Sequence, residues 1–283
     1  MILLRAKTKK QMMQMKTKPI IDSHAHIFPD KIAQKASESI GMFYNMPMLY
    51  DGTSDMLLSQ GQKAGVGYFV VSSVATSPVQ VQSINNFIIK ETNKNKNYIG
   101  LATMHPDFPD ISGEVDRIIS AGLKGMKIHS DFQMINVDSA DTYRIFEVIE
   151  GRLPLLVHAG DCRHDYSSPK RIKRVIKDFP KLTIIAAHFG GWSVWDDGIK
   201  HLADTGVYID TCSSLYEISP EKARELISIY TPERVLFGTD YPMWDATEEL
   251  ERFFALGLDE KTADMILYKN AVKLYGLEND YSD

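Results

Sequence analysis

Short apolar runs of strand character alternate with longer amphipathic segments about eight times after residue 19. The runs are 19–22 (PIID), 67–73 (GYFVVSS), 98–103 (YIGLAT), 125–130 (GMKIHS), 153–160 (LPLLVHAG), 182–188 (LTIIAAH), 207–210 (VYID) and 234–240 (RVLFGTD). Strands that are apolar on both faces are typical of a parallel sheet covered by helices. Eight strand–helix units in 283 residues fit a closed barrel better than an open doubly wound sheet. The sequence therefore predicts the α/β class and a (β/α)8 TIM barrel.

Residues 20–283 are expected to form a single barrel domain, because no linker or shift of composition interrupts them. The segment 259–277 follows the eighth unit's own helix, and we expect it to form an extra C-terminal helix at the barrel's rim. Residues 40–55 read as the longest irregular insertion. Residues 1–19 carry six basic residues and no acidic one, without regular periodicity. We expect these to be a flexible basic N-terminal extension.

Composition limits the class of partner. The net charge of -5 gives no reason to expect a nucleic acid or an anionic membrane as partner. No stretch approaches the roughly 18 apolar residues of a membrane span, and the first residues lack the apolar core of a secretory signal. Two cysteines are too few for a disulfide framework and favour a reducing compartment. We expect a cytoplasmic protein that binds a small-molecule substrate, with assembly into a homo-oligomer left open.

Polar side chains collect at the ends of the predicted strands. The first strand ends in His24 and His26, which lie two residues apart and therefore face one side, together with Asp22. Four later strands end in further polar side chains: Lys127 and His129, His158, His188 and Asp240. The carboxyl ends of barrel strands meet at one mouth, where barrel enzymes keep their active sites. Core histidines would have no reason to collect there, so the pattern predicts one site.

Several imidazoles and a carboxylate at a shared mouth are a ligand set for a divalent metal ion. Such a set suits Zn²⁺, with Mn²⁺, Fe²⁺ or Co²⁺ as alternatives. A catalytic metal keeps one position open for water and lowers the pKa of that water from about 15.7 to about 7. A nearby carboxylate can then receive the water's proton, and an unligated histidine can polarise or protonate the substrate. We therefore expect one divalent metal ion, Zn²⁺ first among the candidates, as the cofactor.

At these residues the chain resembles the amidohydrolase superfamily. It is most similar to the branch of amidohydrolase-related barrels that includes aminocarboxymuconate-semialdehyde decarboxylase. The matching motifs appear in family order and span most of the barrel: DSHAHIF (22–28), GLKGMKIH (122–129), LPLLVHAG (153–160), FPKLTIIAAHFGG (179–191), VYIDTCSS (207–214) and RVLFGTDYP (234–242). The combination is specific, whereas each motif alone is not.

The resemblance implies a role for each matching side chain. His24, His26, His158 and Asp240 would be the ligands of a single metal ion, and Asp240 would also handle the proton of the metal-bound water. His188 would be the acid/base or carbonyl-polarising histidine rather than a ligand. Binuclear members of the superfamily bridge two metals with a carboxylated lysine from strand four, where Lys127 lies. The sequence GMKIH looks like the mononuclear version of this motif.

Other mouth-side residues are candidates for substrate binding. Lys127 and His129 share a parity and can both face the mouth, although a structural ion pair of Lys127 is an alternative. Arg163, in the loop after strand five, could clamp a substrate carboxylate or be a solvated loop arginine. Trp192 and Tyr44 could stack on a flat substrate or close a hydrophobic lid. Both cysteines, Cys162 and Cys212, read as buried free thiols.

Three functions compete for this residue set. We expect a metal-dependent hydrolase that cleaves an amide, ester or lactone in a small carboxylated or carbonyl-bearing molecule. Non-oxidative decarboxylation of an aromatic or muconate-type acid is the alternative, because both reactions can use the same site and a shared scaffold does not fix the chemistry. A catalytically inactive ligand-binding barrel is the third, and the intact metal and acid/base set argues against it.

Overall fold

The structure, a computed structural model, describes residues 19–278, so the predicted N-terminal extension lies outside the described residues except for Pro19. Eight parallel strands form one sheet in chain order, each hydrogen-bonded to the next. The strands are β1 (Ile21–His26), β2 (Tyr68–Ser72), β3 (Tyr98–Thr103), β4 (Gly125–Ile128), β5 (Leu155–Val157), β6 (Ile184–Ala186), β7 (Tyr208–Asp210) and β8 (Val235–Leu236). The predicted (β/α)8 TIM barrel is confirmed.

Helices connect the strands in the order expected for a barrel. They are α1 (Asp30–Tyr44), α2 (Ser54–Ala64), α3 (Val81–Lys94), α4 (Ile111–Ser120), α5 (Ser130–Gln133), α6 (Ala140–Ile149), α7 (Pro169–Asp178), α8 (Trp195–Leu202), α9 (Pro220–Tyr230), α10 (Ala246–Ala255), α11 (Glu260–Asp264) and α12 (Asn270–Tyr275), with a π-helical segment (Met265–Lys269) between the last two. Within residues 19–278, no helix has the length and apolar character needed to cross a bilayer.

The C-terminal segment closes one end of the barrel. Inward-facing apolar side chains near the strand starts, such as Ile21 and Tyr208, form one buried cluster inside the barrel. The same cluster includes Val272 and Tyr275 of α12, and Leu277, which lies two residues beyond the helix. The predicted C-terminal helix therefore packs at the amino-terminal end of the barrel, and the carboxyl ends of the strands stay free for a site.

The seam between β1 and β8 is closed by a few hydrogen bonds rather than a full ladder. The N–H of Ser23 donates to the Phe237 carbonyl at 2.8 Å, and the N–H of Asp240 donates to the His24 carbonyl at 2.8 Å. The buried Asp22 carboxylate accepts from the Thr239 hydroxyl at 2.6 Å and from the Thr239 N–H at 2.9 Å. Asp22 therefore stabilises the closure between β1 and β8 and does not join the two histidines at the mouth.

Helix α1 is longer than the sequence suggests. Residues 40–44 were expected to be irregular, but they continue the helix to Tyr44, and Asn45 ends it in the left-handed region at φ 52°. Ile40 and Phe43 face the barrel mouth instead of the core, so the apolar stripe of this helix is not the usual core-facing one. The end of α1 therefore becomes a wall of the mouth.

Replacing Thr239 by Val tests the seam. The variant keeps the branched shape and removes the hydroxyl that donates to Asp22. A buried carboxylate that loses such a partner should cost about 1–3 kcal/mol in the free energy of unfolding. We expect Tm, followed by circular dichroism, to fall by roughly 3–9 °C. Thr239→Ser keeps the donor and should stay closer to wild type, and an unchanged Tm for Thr239→Val would contradict this role.

Candidate metal centre

The carboxyl ends of the strands open into one cavity of about 460 Å³, a volume in the range of small-molecule sites. Its floor carries the polar residues predicted from the strand ends: His24, His26, Lys127, His129, His158, His188 and Asp240. Its walls are largely apolar and include Phe28, Ile40, Phe43, Met48, Phe132 and Met134. The barrel thus brings side chains from β1 to β8 to a single place.

Three side-chain atoms at the seam face one another at the spacing that a metal ion imposes. His24 Nε2 lies 3.2 Å from His26 Nε2, and Asp240 Oδ1 lies 3.6 Å from the first and 3.3 Å from the second. Ligands bound at about 2.1 Å with tetrahedral angles would be about 3.4 Å apart. Imidazole nitrogen and carboxylate oxygen are donors that divalent metals use. These residues therefore fit a divalent metal ion.

Asp210, at the end of β7, fixes the proton of His24. Its Oδ2 lies 2.7 Å from His24 Nδ1, and both side chains are buried. This contact needs a proton on Nδ1, so the lone pair of the neutral ring is on Nε2, the atom that faces His26 and Asp240. Carboxylates commonly orient metal-binding histidines in this way. The sequence pattern did not single out Asp210, although it ends strand seven as a carboxylate.

The protonation states of His24 and Asp240 are those that a bound cation requires. Burial, followed by the charge of Lys127, lowers the pKa of His24 to about 4, so this imidazole is neutral at neutral pH, as a metal ligand must be. Burial alone would raise the pKa of Asp240, but His24, His26 and His188 hold it well below its usual range. Asp240 is therefore an anion beside the neutral imidazole of His24.

His158 and His188 meet on the other side of the floor. His158 Nδ1 lies 3.0 Å from His188 Nε2. The other nitrogen of His158 is buried without a hydrogen bond and lies 4.0 Å from Asp131 Oδ2, and His188 Nδ1 lies 3.2 Å from the Cys212 carbonyl. With a proton on each outer nitrogen, two lone pairs face each other, and a cation or a proton between them removes the repulsion. His158 Nδ1 can therefore bind a metal ion only when neither ring places a proton between these two nitrogens.

His188 and Asp240 both occupy the left-handed backbone region, with φ of 60° and 61°. Such a conformation costs a non-glycine residue about 1–3 kcal/mol and is typical of functional sites. Hydrogen bonds hold both residues there: the His188 N–H donates to Asp210 Oδ1 at 2.8 Å, and the Asp240 N–H donates to the His24 carbonyl. These two strained conformations lower the stability of the fold, and they orient the side chains of His188 and Asp240.

A short hydrogen-bonded chain also orients Asp240. The indole N–H of Trp244 donates to Ser213 Oγ at 2.9 Å, and Ser213 Oγ–H donates to Asp240 Oδ2 at 2.5 Å. Because the hydroxyl accepts on one side and donates on the other, Oδ2 is engaged and Oδ1 is left to face the histidines. The sequence pattern gave no sign of Ser213, which acts through another residue.

Lys127 lies beneath the same group of atoms. Its side chain is buried, and Nζ lies 3.0 Å from His24 Nε2. Burial lowers the pKa of Lys127, and the charges of Asp240 and Asp210 oppose this shift. Lys127 thus sits on the floor, as expected, and points at the ligand atoms more than at the apolar walls.

Arg163 does not line the cavity, which corrects its expected role as a clamp for a substrate carboxylate. Its guanidinium already has a carboxylate partner: Nε and Nη2 donate to Asp161 at 2.9 and 2.6 Å. Nη1 donates to the Phe43 carbonyl at 2.6 Å. The same group lies over the rings of Tyr44 and Trp192. Arg163 therefore fastens the end of α1 to the loop after β5.

Tyr44, Trp192 and His129 are near the cavity, as expected. Tyr44 lines the main cavity and also a small recess that it shares with Trp192 and the two catalytic candidates, His188 and Asp240. His129 lies on the floor, with its ring stacked on that of His158 at 4.0 Å. The walls and the floor are thus linked through aromatic contacts.

The two cysteines differ in environment. Cys212 is buried, as expected, and its thiol donates to Asp210 Oδ1 at 3.0 Å. Burial, followed by the charge of Asp210, raises the pKa of Cys212 well above its usual value, so the thiol stays protonated although it belongs to two clusters of ligand-type residues. Cys162 is exposed, contrary to expectation, because it lies in the loop after β5.

Known structures with the same barrel cover nearly the whole chain. A 5-carboxyvanillate decarboxylase from Novosphingobium aromaticivorans, complexed with manganese and a nitrobenzoic acid, is 14% identical with a TM-score of 0.73, covering 93% of this chain and 97% of that one. A 2,6-dihydroxybenzoate decarboxylase from Rhizobium is 15% identical, with a TM-score of 0.71 and coverage of 92% and 99%. A putative 2-pyrone-4,6-dicarboxylic acid hydrolase from Pseudomonas putida is 20% identical, with a TM-score of 0.66 and coverage of 92% and 98%.

These similarities correct the choice between the two reactions. The similar structures named for an activity are mainly decarboxylases of carboxylated or hydroxylated benzoic acids, whereas one is named a hydrolase. Hydrolysis as the leading prediction is therefore wrong, and the alternative, decarboxylation, takes its place. The error has a physical cause, since the floor residues from which the prediction came are compatible with both reactions.

The sequence itself shows the family. No curated protein sequence matches the chain. A family profile described as Amidohydrolase matches residues 21–277, which is nearly the whole barrel from β1 to the end of the C-terminal segment. This match agrees with the resemblance carried by the strand-end motifs, and the fold and floor described above are those of an enzyme. The chain belongs to the amidohydrolase family.

Proposed function

We propose that this protein is a metal-dependent, non-oxidative decarboxylase of a small aromatic or muconate-type carboxylic acid. The observation that carries the proposal is the cavity itself, in which three converging ligand atoms and His188 form a polar floor beneath apolar walls. Such a cavity can hold an acid with its polar end on the floor and its carbon skeleton against the walls. The decarboxylases with the same fold support the choice of reaction.

The proposed ligands are His24, His26, His158 and Asp240. The first two and Asp240 form the group at the seam, and His158 offers its Nδ1 from across the floor. Zn²⁺ suits a site of imidazoles and one carboxylate, and Mn²⁺ is supported by the manganese bound in two similar decarboxylases. Reconstitution of metal-stripped protein with each ion in turn shows which of the two ions supports activity.

The reaction needs a proton at the carbon that loses its carboxylate. When bound, the divalent ion would act as a Lewis acid toward oxygen atoms of the substrate. The bond between the carboxylate carbon and the substrate skeleton breaks, its electron pair stays with the skeleton, and a proton takes the vacated position. Carbon dioxide is the only other product, so no oxidant or reductant is required.

His188 is the proposed carrier of that proton. Its Nδ1 faces the Cys212 carbonyl, so an added proton resides on Nε2, the atom that lies 3.0 Å from His158 Nδ1. The carboxylates of Asp240 and Asp210 oppose the lowering of the His188 pKa by burial, and they therefore favour the protonated ring. Asp240, a proposed ligand, is the second group able to carry a proton at this place.

The first test is product release. Metal-loaded protein is incubated with a panel of hydroxylated benzoic acids and muconate-type acids, and carbon dioxide is captured while the carbon product is identified. We expect release from at least one acid, its loss on chelation, and its return when the metal is added back. Well-folded, metal-loaded protein that releases no carbon dioxide from any acid of the panel would contradict the proposal and leave a ligand-binding barrel.

The second test separates His188 from the metal ligands. His188→Asn removes the proton carrier, and one acid/base group typically contributes 10²- to 10⁴-fold. We expect kcat to fall by about 10²-fold or more while the protein keeps its metal. His201→Asn, on the partly exposed face of α8, is a matched control and should leave both unchanged. Loss of metal together with activity in His188→Asn would make His188 a ligand and this role wrong.

A further inference from the structure

Tyr44 stands at the end of α1, above the floor of the cavity. Its hydroxyl lies 2.8 Å from His129 Nε2. The residue lines the main cavity and, with His188 and Asp240, the small recess beside it. The side chain therefore separates the proposed reaction centre from solvent on one side, and its single polar atom is on the cavity side.

The direction of the hydrogen bond to His129 follows from the other nitrogen of that ring. The N–H of Phe132 donates to His129 Nδ1 at 3.3 Å, so Nδ1 is an acceptor and a neutral ring carries its proton on Nε2. His129 therefore donates to the Tyr44 oxygen, and the Tyr44 O–H proton is not used by this contact.

Tyr44 is held in place from the opposite side by Arg163. The guanidinium carbon lies 4.8 Å from the centre of the Phe43 ring, 5.3 Å from that of Tyr44 and 5.5 Å from that of Trp192. Its hydrogen bond to the Phe43 carbonyl fixes the backbone next to Tyr44, and its pairing with Asp161 anchors the guanidinium to the loop after β5. The Tyr44 ring also packs edge-on against Trp192.

The geometry points to Tyr44 as a substrate-binding residue whose hydroxyl donates a hydrogen bond to an oxygen atom of the bound acid, with Arg163 as the positioning residue that aims it. This inference rests on the proposed function, because it takes the acid as the ligand of the cavity. Burial raises the pKa of Tyr44 well above its usual value, so the hydroxyl remains a donor at neutral pH. A carboxylate or phenolic oxygen is the acceptor that such a donor fits.

The experiment measures binding and turnover separately. Affinities of manganese-loaded full-length protein for benzoate and 2-hydroxybenzoate are measured by isothermal titration calorimetry, and kcat and KM are measured with the acid that the panel identifies. Tyr44→Phe removes the hydroxyl, which is the proposed donor to the acid and also the acceptor of the His129 N–H. It should weaken binding of at least one probe roughly 10-fold, the size expected for a hydrogen bond to a charged group. KM should rise more than kcat falls. Tyr143→Phe removes a hydroxyl that donates to Asp178 on the surface, and it should change neither quantity.

Arg163→Lys tests the positioning role, since lysine keeps the charge beside Asp161 and loses the planar fork. We expect partial loss of affinity in this variant and no further loss when it is combined with Tyr44→Phe. If the loss of affinity in the double variant equals the product of the two single-variant losses, the positioning role is overturned. The donor role would be overturned if Tyr44→Phe bound the probes with wild-type affinity. It would also be overturned if the metal-loaded wild type bound neither probe. If Tyr44-dependent binding is seen without carbon dioxide release, the inference holds and the proposed function fails.

Discussion

The closure of the barrel between β1 and β8 is the constraint on which the proposed centre depends. His24 and His26 come from the first strand and Asp240 follows the last, so these three side chains meet only if the sheet closes. The seam has one isolated bridge, between Ala25 and Tyr241, and relies on the buried Asp22 carboxylate for further hydrogen bonds. The fold and the ligand group are therefore held by the same few interactions.

Burial gives the floor its chemical character. A neutral His24 and an ionised Asp240 are the protonation states that a divalent cation requires, and they arise here from desolvation and from the arrangement of neighbouring charges. Asp210 sets the tautomer of His24, and Ser213 leaves one oxygen of Asp240 free. The proposed centre is thus organised by groups behind the proposed ligands, as metal sites usually are. The apolar walls are the part of the proposed site that would select the acid.

The sequence predicted what depends on chain periodicity and missed what depends on local conformation. Strand-end positions identified His24 and His158, because side chains at the carboxyl ends of parallel strands must share one mouth. Ser213 was missed because it acts through Asp240 rather than directly. Arg163 was a candidate for substrate binding because its pairing with Asp161, two residues earlier, needs a loop conformation that periodicity does not reveal. The reaction was misassigned because the floor residues do not distinguish the two chemistries.

Elemental analysis of purified protein tests the metal centre most directly. Wild-type protein should carry about one divalent ion per chain, the number that one four-ligand site allows, and His24→Ala and Asp240→Ala should each lose it while the circular dichroism spectrum remains that of the folded barrel. Well-folded wild-type protein that holds no metal even after reconstitution with zinc or manganese would contradict the assignment, and so would variants that keep a full complement of metal.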